Sequence, residues 1–328
     1  MQTDQAGMRR PRPLQERLGS PLTMLFLGVT TGLSAAHRHF PTWLAALGVP
    51  VGSRLEGVDV PLGAPTETYR TIVHRLRDDP DVAGALITSH KVATYAAAAD
   101  LFDETDRLAS LCAEVGCVSR ATGRLVGHAL DPVTSMAALD LLAPPSHWKA
   151  FPAARVACIG AGGAGVAIAV GLAQRIGHSS SPAGIVIADS IPGRVRHALE
   201  TIRRVGTPNS WAVGIVTGGD AARADDVVSA LPPGSIVVNA TGMGKDVPGS
   251  PVTNAVRFPE GGIAWDLNYR GARPFLDQAT SQASWRGLTI VDGWDYFAVS
   301  WVLHVARVFG APEDAATLER AVKATIRT

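Results

Sequence analysis

The apolar strand Arg155-Val156-Ala157-Cys158-Ile159 runs directly into Gly160-Ala161-Gly162-Gly163-Ala164-Gly165. A near-continuous apolar run of this kind is buried on both faces, which belongs to a parallel sheet covered by helices on either side. The glycines fit G-x-G-x-x-G, a helical pattern follows through Arg175, and the next apolar run, Ile185 to Ala188, ends at Asp189. In that context the pattern is a dinucleotide cradle. Gly160 permits the tight turn, Gly162 lets the backbone approach a pyrophosphate, and Gly165 lets the helix pack on the sheet. Ala161, Gly163 and Ala164 complete the loop, and the helix N-terminus offers unpaired N–H groups to phosphate. Asp189 stands where a carboxylate accepts bonds from ribose hydroxyls and repels a 2′-phosphate. NAD is therefore the expected cofactor, with NADP allowed because Arg194 and Arg196 lie nearby. The bland alternative, a strand–helix turn with no ligand, gives no reason for the acid ending the next strand.

A chain of 328 residues exceeds one ordinary hydrophobic core, so two domains are expected. Thirty basic residues against twenty-nine acidic ones leave no electrostatic footprint for nucleic acid. No run of about 18 apolar residues occurs, so no membrane span is expected. Residues 1–20 are polar, carry Arg9, Arg10 and Arg12, lack the apolar stretch of a secretory signal and read as a flexible tail. The odd set Cys112, Cys117 and Cys158 fits a reducing, cytoplasmic compartment. His37, His90, His128 and His304 have no metal-ligand spacing, and no metal is expected.

Upstream of the loop, strand-like and helix-like segments alternate. Strands are expected at Met24 to Val29, Leu55 to Val60 and Ala83 to Thr88. Helices are expected at Ser34 to Leu47, Thr66 to Arg77 and Val92 to Phe102. This alternation is the signature of a parallel α/β sheet. Ala143-Pro144-Pro145-Ser146 reads as a boundary loop. Further strands are expected at Ile236 to Asn239 and Ile263 to Leu267, then a long helix from Tyr296 to Phe309 and a last helix from Pro312.

Two residues lie where α/β sheets bind ligands, at a strand's end feeding a helix. Lys91 follows Thr88-Ser89-His90, and either Thr88 or Ser89 can cap the helix it opens. A cation in a first helical turn opposes the helix dipole, so stability does not ask for it. Asp131 precedes Pro132, which taken alone is a routine N-cap.

Taken together these segments resemble the shikimate and quinate dehydrogenase family, over nearly the whole chain from about Leu25. Gly28 to Phe40 is similar to the family's opening substrate motif, and Gly84 through His90-Lys91 to its N-V-T-x-P-x-K segment. Gly127-His128-Ala129-Leu130-Asp131 stands where G-x-N-T-D is expected. Asn239-Ala240-Thr241 and Asp266-Leu267-Asn268-Tyr269 match later N-A-T and D-L-x-Y segments, and Gly293 to Ser300 begins the closing helix. The resemblance implies an α/β fold with an N-terminal substrate-binding domain (21–137) completed by C-terminal helices (286–328), and an inserted Rossmann domain (138–285). It implies Lys91 and Asp131 as the catalytic pair, with Lys91 handling a hydroxyl proton and Asp131 orienting it. It adds Asn239 and Thr241 to the cofactor residues. Thr31, Ser34, Thr88, Ser119, Tyr269, Tyr296 and Ser300 become the substrate contacts.

The recognition motifs depart from the family pattern. Aligning on His37 places Thr31 and Leu33 at the family's two carboxylate-binding serines, and a shift by one brings in Ser34. The family's asparagines fall on Ala85 or Leu86, on Ser119 and on Ala129, and its closing methionine and glutamine on Tyr296 and Ser300. Each lost buried hydrogen-bond partner costs about 1–3 kcal/mol. The expected activity is NAD(P)-dependent hydride transfer between nicotinamide and a cyclic or polyhydroxylated alcohol or its ketone, other than shikimate itself, by a monomer or homodimer. A dinucleotide-binding regulator without turnover is the alternative from another class, and a methylene-tetrahydrofolate-type dehydrogenase a third reading.

Overall fold

The structure is a computed structural model that describes residues 20–120, 123–178, 181–245 and 247–325. Of the tail expected over residues 1–20, all but Ser20 lies outside the described residues. The chain divides into two compact units. One comprises the chain up to Leu130 together with Ser300 onward, and the other is Asp131–Val299.

The first unit begins with β1 (Thr23–Gly28), a 3-10 turn at Thr31–Leu33 and α1 (Ala36–Leu47). It continues through β2 (Arg54–Asp59), α2 (Thr66–Asp78), β3 (Val82–Ile87) and α3 (Lys91–Ala98). Shorter elements follow: β4 (Glu104–Thr105), α4 (Arg107–Cys112), β5 (Cys117–Ser119) and β6 (Val126–His128). They form one sheet in the order β2-β1-β3-β5-β6-β4. β1 is buried along its length and pairs in parallel with β2 and β3, as the strand–helix alternation requires. β5 departs from the parallel expectation, running antiparallel to both β3 and β6. The connection from Ser119 to Val126 is too short for a crossover helix, so the chain can only return as a hairpin.

Apolar side chains of this unit cluster around Leu25, Leu27, Val73, Leu76 and Ile87. Phe26 points the other way, edge-on to Trp301 at 4.8 Å, and Trp301 stacks on Trp43 at 5.6 Å.

The second unit opens with α5 (Asp131–Leu142) and α6 (Pro145–Ala150). Where the prolines of 143–146 led us to expect a loop, Pro145 instead starts a helix, the position at which its missing N–H and fixed φ cost nothing. The order continues β7 (Arg155–Ile159), α7 (Gly163–Ala173), β8 (Gly184–Asp189), α8 (Pro192–Val205), β9 (Ala212–Val216) and α9 (Ala221–Ser229). After β10 (Ile236–Asn239) and β11 (Ile263–Asp266) come α10 (Pro274–Thr280), α11 (Ala283–Arg286), β12 (Thr289–Val291) and α12 (Trp294–Phe309). Its sheet, β12-β11-β10-β7-β8-β9, is parallel throughout. The chain moves outward from β7 to β9, then returns to lay β10 on the other side of β7. That reversal makes the C-terminal ends of β7 and β10 a topological switch point, where doubly wound sheets bind ligands.

The division between units falls within α12, and α13 (Ala315–Lys323) belongs to the first unit, where Trp43 donates its indole N–H to Thr325 Oγ1 at 2.8 Å. All three cysteines are buried free thiols, and burial pushes the Cys158 thiol up to about 12.

Candidate cofactor and active site

The glycine loop occupies the switch point, and its glycines serve different ends. Gly160 has φ of +113°, and a Cβ there would lie 2.7 Å from the Ala240 carbonyl oxygen. A Cβ on Gly165 would overlap the Gly160 carbonyl. The protein's own backbone therefore requires these two. A Cβ on Gly162 or Gly163 would meet nothing within 4 Å. No protein group requires those glycines, and the space they leave opens onto a cavity of about 820 Å³. Gly160, Asp189, Thr217, Asp220, Thr241 and Met243 are among its walls. A dinucleotide fits this cradle: the N-terminus of α7 carries no side-chain cap and could receive a phosphate, and the volume is that of a small-molecule site.

Asp189 ends β8 and is 7% exposed. Its Oδ2 accepts the Ala161 N–H and its Oδ1 the Ile191 N–H, each at 2.8 Å. The carboxylate thus ties the glycine loop to the next strand and keeps a lone pair on each oxygen. Ser190, Arg194, Thr217 and Asp220 line the same end. Of these, only Arg194 figures in the sequence expectations. The signal for Asp220 was the apolar run Ala212–Val216 ending in Thr217-Gly218-Gly219-Asp220, a strand followed by a turn and a capped helix.

Opposite stands the turn Ala240–Met243. Asn239 is fully buried and shapes it. Its Oδ1 accepts the Thr241 N–H (3.1 Å) and hydroxyl (2.6 Å), and its Nδ2 donates to the Met243 carbonyl (3.3 Å). Asn268 Nδ2 reaches the Met243 carbonyl (3.1 Å) and Asp266 Oδ1 (2.8 Å). Asn239 thus acts behind the wall, whereas Thr241 lines it. Asp266 is fully buried, its Oδ2 has no hydrogen-bond partner, and burial raises its pKa above the usual carboxylate value.

In the first unit, Lys91 is half-buried and opens α3, and its carbonyl accepts the Val115 N–H at 3.2 Å. The expected cap is absent: His90 takes the N-cap position with no side-chain bond to the helix. Thr88 instead donates its hydroxyl to the Leu27 carbonyl at 3.1 Å. His90 is held between Tyr69 Oη (3.1 Å) and the Val60 carbonyl (2.9 Å). Thr31 and Thr88 flank Gly28. The Thr31 hydroxyl and N–H both donate to Asp59 Oδ1 at 2.7 Å, and these bonds hold the Asp59 carboxyl below its ordinary pKa. Ser34 Oγ accepts the Ala36 N–H at 3.2 Å, and Leu33 is 72% exposed. Ser119 is buried 2.9 Å from His128 Nε2, and His128 Nδ1 faces Asp106 at 3.2 Å. The Ser300 carbonyl is bonded to His304 Nδ1 at 2.7 Å.

In the second unit, Asp131 is the first residue of α5 and is 8% exposed. Tyr269 packs on Phe297 at 4.6 Å and edge-on to Trp294, while Tyr296 lies edge-on to Trp265 at 5.8 Å. Both tyrosines thus pack on aromatic rings, Tyr269 on those at the start of α12 and Tyr296 on Trp265 of β11. Among the described residues, no group of three or more His, Cys, Asp or Glu could hold a metal, and no helix is long and apolar enough to cross a membrane.

A doubly wound parallel sheet with this cradle at its switch point defines the class: an α/β protein that binds NAD or NADP. A scan against protein-family models finds no match. The chain is 30% identical over 266 residues to a shikimate dehydrogenase (NADP(+)) of Methylobacterium radiotolerans, covering 80% of this chain and 83% of that one. Its fold is that of a quinate dehydrogenase from Corynebacterium glutamicum solved with NAD (TM-score 0.71, 21% identity, 93% and 98% of the two chains). It is also that of a 5-ketofructose reductase of Gluconobacter (TM-score 0.65, 23% identity, 94% and 99%). The chain belongs to the shikimate/quinate dehydrogenase family, and it is an NAD(P)-dependent dehydrogenase.

Proposed function

We propose that this enzyme interconverts a cyclic or polyhydroxylated alcohol and its ketone, uses NAD in preference to NADP, and does not serve shikimate as its ordinary substrate. The observation that carries the substrate reading is the Thr31–Asp59 bond. Thr31 stands at one of the family's carboxylate-binding serines, and its hydroxyl proton is already given to Asp59. Leu33, at the other position in that alignment, has no donor. Of the two readings of the motif, only the one that brings in Ser34 leaves a hydroxyl proton to offer. A substrate with several hydroxyls and no carboxylate suits this set. The 5-ketofructose reductase of the same fold is named for a compound in that class.

The preference for NAD rests on Asp189 and Asp220, two carboxylates that line the cavity and would face the adenosine ribose. Both would repel a 2′-phosphate, against the attraction of the Arg194 guanidinium.

The bound dinucleotide supplies or takes the hydride. Lys91, as the neutral amine, would take the proton of the substrate hydroxyl during oxidation and return it during reduction, with Asp131 orienting the lysine. The test is NADH and NADPH formation across cyclic polyols, sugar alcohols, shikimate and quinate, with Lys91→Ala beside the wild type. We expect turnover on an uncharged polyol with NAD, and loss of most turnover in Lys91→Ala with NADH binding retained. Ordinary efficiency on shikimate would refute the substrate reading, and wild-type turnover in Lys91→Ala would refute the role of the lysine.

A further inference from the structure

We propose that Gly171 is a positioning residue that fixes Asp131 relative to the cofactor cradle, by letting helix α5 rest directly on helix α7. This rests on the reading of Asp131 as the carboxylate that orients Lys91.

α7 starts at Gly163 on the cavity wall and is buried from Gly165 to Ala173. Gly171 lies eight residues in, about 12 Å along the axis at 1.5 Å per residue. Helix propensity argues against glycine there, since it is about 1 kcal/mol worse than alanine in a helix interior. Packing supplies the reason. A Cβ at 171 would lie 2.7 Å from the Pro132 carbonyl oxygen and 2.7 Å from Met136 Cγ. Pro132 is the residue after Asp131, and its carbonyl is backbone, which cannot rotate away. Adding one methyl therefore moves the first turn of α5, and Asp131 with it. Arg175, just past the end of α7, pairs with Asp140 near the end of α5 at 2.7 Å. Helix α7 is thus a strut with the phosphate cradle at one end and the seat of Asp131 along its side.

The experiment compares Gly171→Ala, Met136→Ala, Met136→Leu and Asp131→Asn with the wild type. Its readouts are NADH affinity, kcat on whichever polyol the wild type oxidises fastest, and amide hydrogen exchange of residues 131–136. Gly171→Ala is expected to keep NADH affinity within about twofold and to lose about 10- to 100-fold in kcat, the scale of an ångström-sized misplacement. Its exchange at 131–136 should rise about tenfold. Met136→Ala should show the same pattern more weakly, and Met136→Leu, which restores the volume, should return kcat to near wild type.

A folded Gly171→Ala with unchanged kcat and unchanged exchange overturns the proposal, as does a parallel loss of NADH binding. If Gly171→Ala does not fold, Met136→Ala decides by the same criteria, and the exchange readout decides even where no polyol is turned over. Asp131→Asn separates the two levels. Full activity there removes the reading of Asp131, whereas a dead Asp131→Asn beside an unaffected Gly171→Ala removes only the role of Gly171.

Discussion

The carboxylate of Asp189 accepts the backbone N–H of Ala161 at 2.8 Å and, through its other oxygen, that of Ile191. One side chain thus lines the cavity and also staples the glycine loop in place. Asp189→Ala leaves two N–H groups without acceptors, at about 1–3 kcal/mol each. It is expected to lower the melting temperature and to weaken NADH binding at least tenfold. Asp189→Asn should not convert the enzyme to NADP, because its amide nitrogen sets a donor against one of those N–H groups. Paired NADH and NADPH titrations check both, and tight NADPH binding by Asp189→Asn would contradict the account.

The four glycines of the loop should separate stability from binding. Gly163→Ala gains helix propensity, places its methyl in open space, and is expected to melt at or above the wild-type temperature while NADH affinity falls tenfold or more. Gly165→Ala, whose methyl meets the Gly160 carbonyl, should instead be strongly destabilised. Thermal melts alongside NADH titrations distinguish the two. Equal effects on both measurements in both variants would show that the open space by Gly163 is not where the ligand lies.

Asp266 gives a pH signature. Its folded pKa is raised by burial, so its contribution to stability is present below the unfolded carboxylate value and is lost as pH rises through the folded one. The stability of the wild type relative to Asp266→Asn should therefore fall with rising pH across that acid window. Denaturant unfolding of both proteins at a series of pH values measures the difference, in which the other carboxylates cancel. A difference that grows with pH would reverse the assignment.

Asn268 supports the cavity wall from behind, with Nδ2 on the Met243 carbonyl and on Asp266. Asn268→Ala removes these two bonds and the longer one to the Thr241 carbonyl (3.3 Å), and is expected to cost about 2–3 kcal/mol of stability. NADH affinity should weaken several-fold, because Thr241 and Met243 lose their backing. Unfolding and NADH binding on the purified variant test this.

Much of the second unit could be read in advance from short-range pattern alone. The strand before Gly160, the glycines and Asp189 lie within 35 residues of sequence, and each follows from a local rule about turns, helix ends or buried strands. The first unit was legible only where strand and helix simply alternate. β5 and β6 are three residues each, too short to show a period, and their antiparallel pairing depends on partners elsewhere in the sheet. The side-chain bonds are harder still. Thr88 was one of two residues expected to be able to cap α3, but its hydroxyl finds the Leu27 carbonyl 61 residues away. The donor of Thr31 is absorbed by Asp59, 28 residues on. Sequence identifies such residues as able to donate, and only the folded sheet shows to whom.

The distribution of the thiols gives the protein an internal gauge of its own opening. Cys112 and Cys117 are buried in the first unit and Cys158 in β7 of the second, beside the glycine loop, and the chain has no others. A thiol-reactive dye is therefore silent on the native enzyme and labels only what has come apart. Mapping which cysteine reacts first, with and without dinucleotide, would rank the two units by the ease with which each unravels, with no label engineered into the chain.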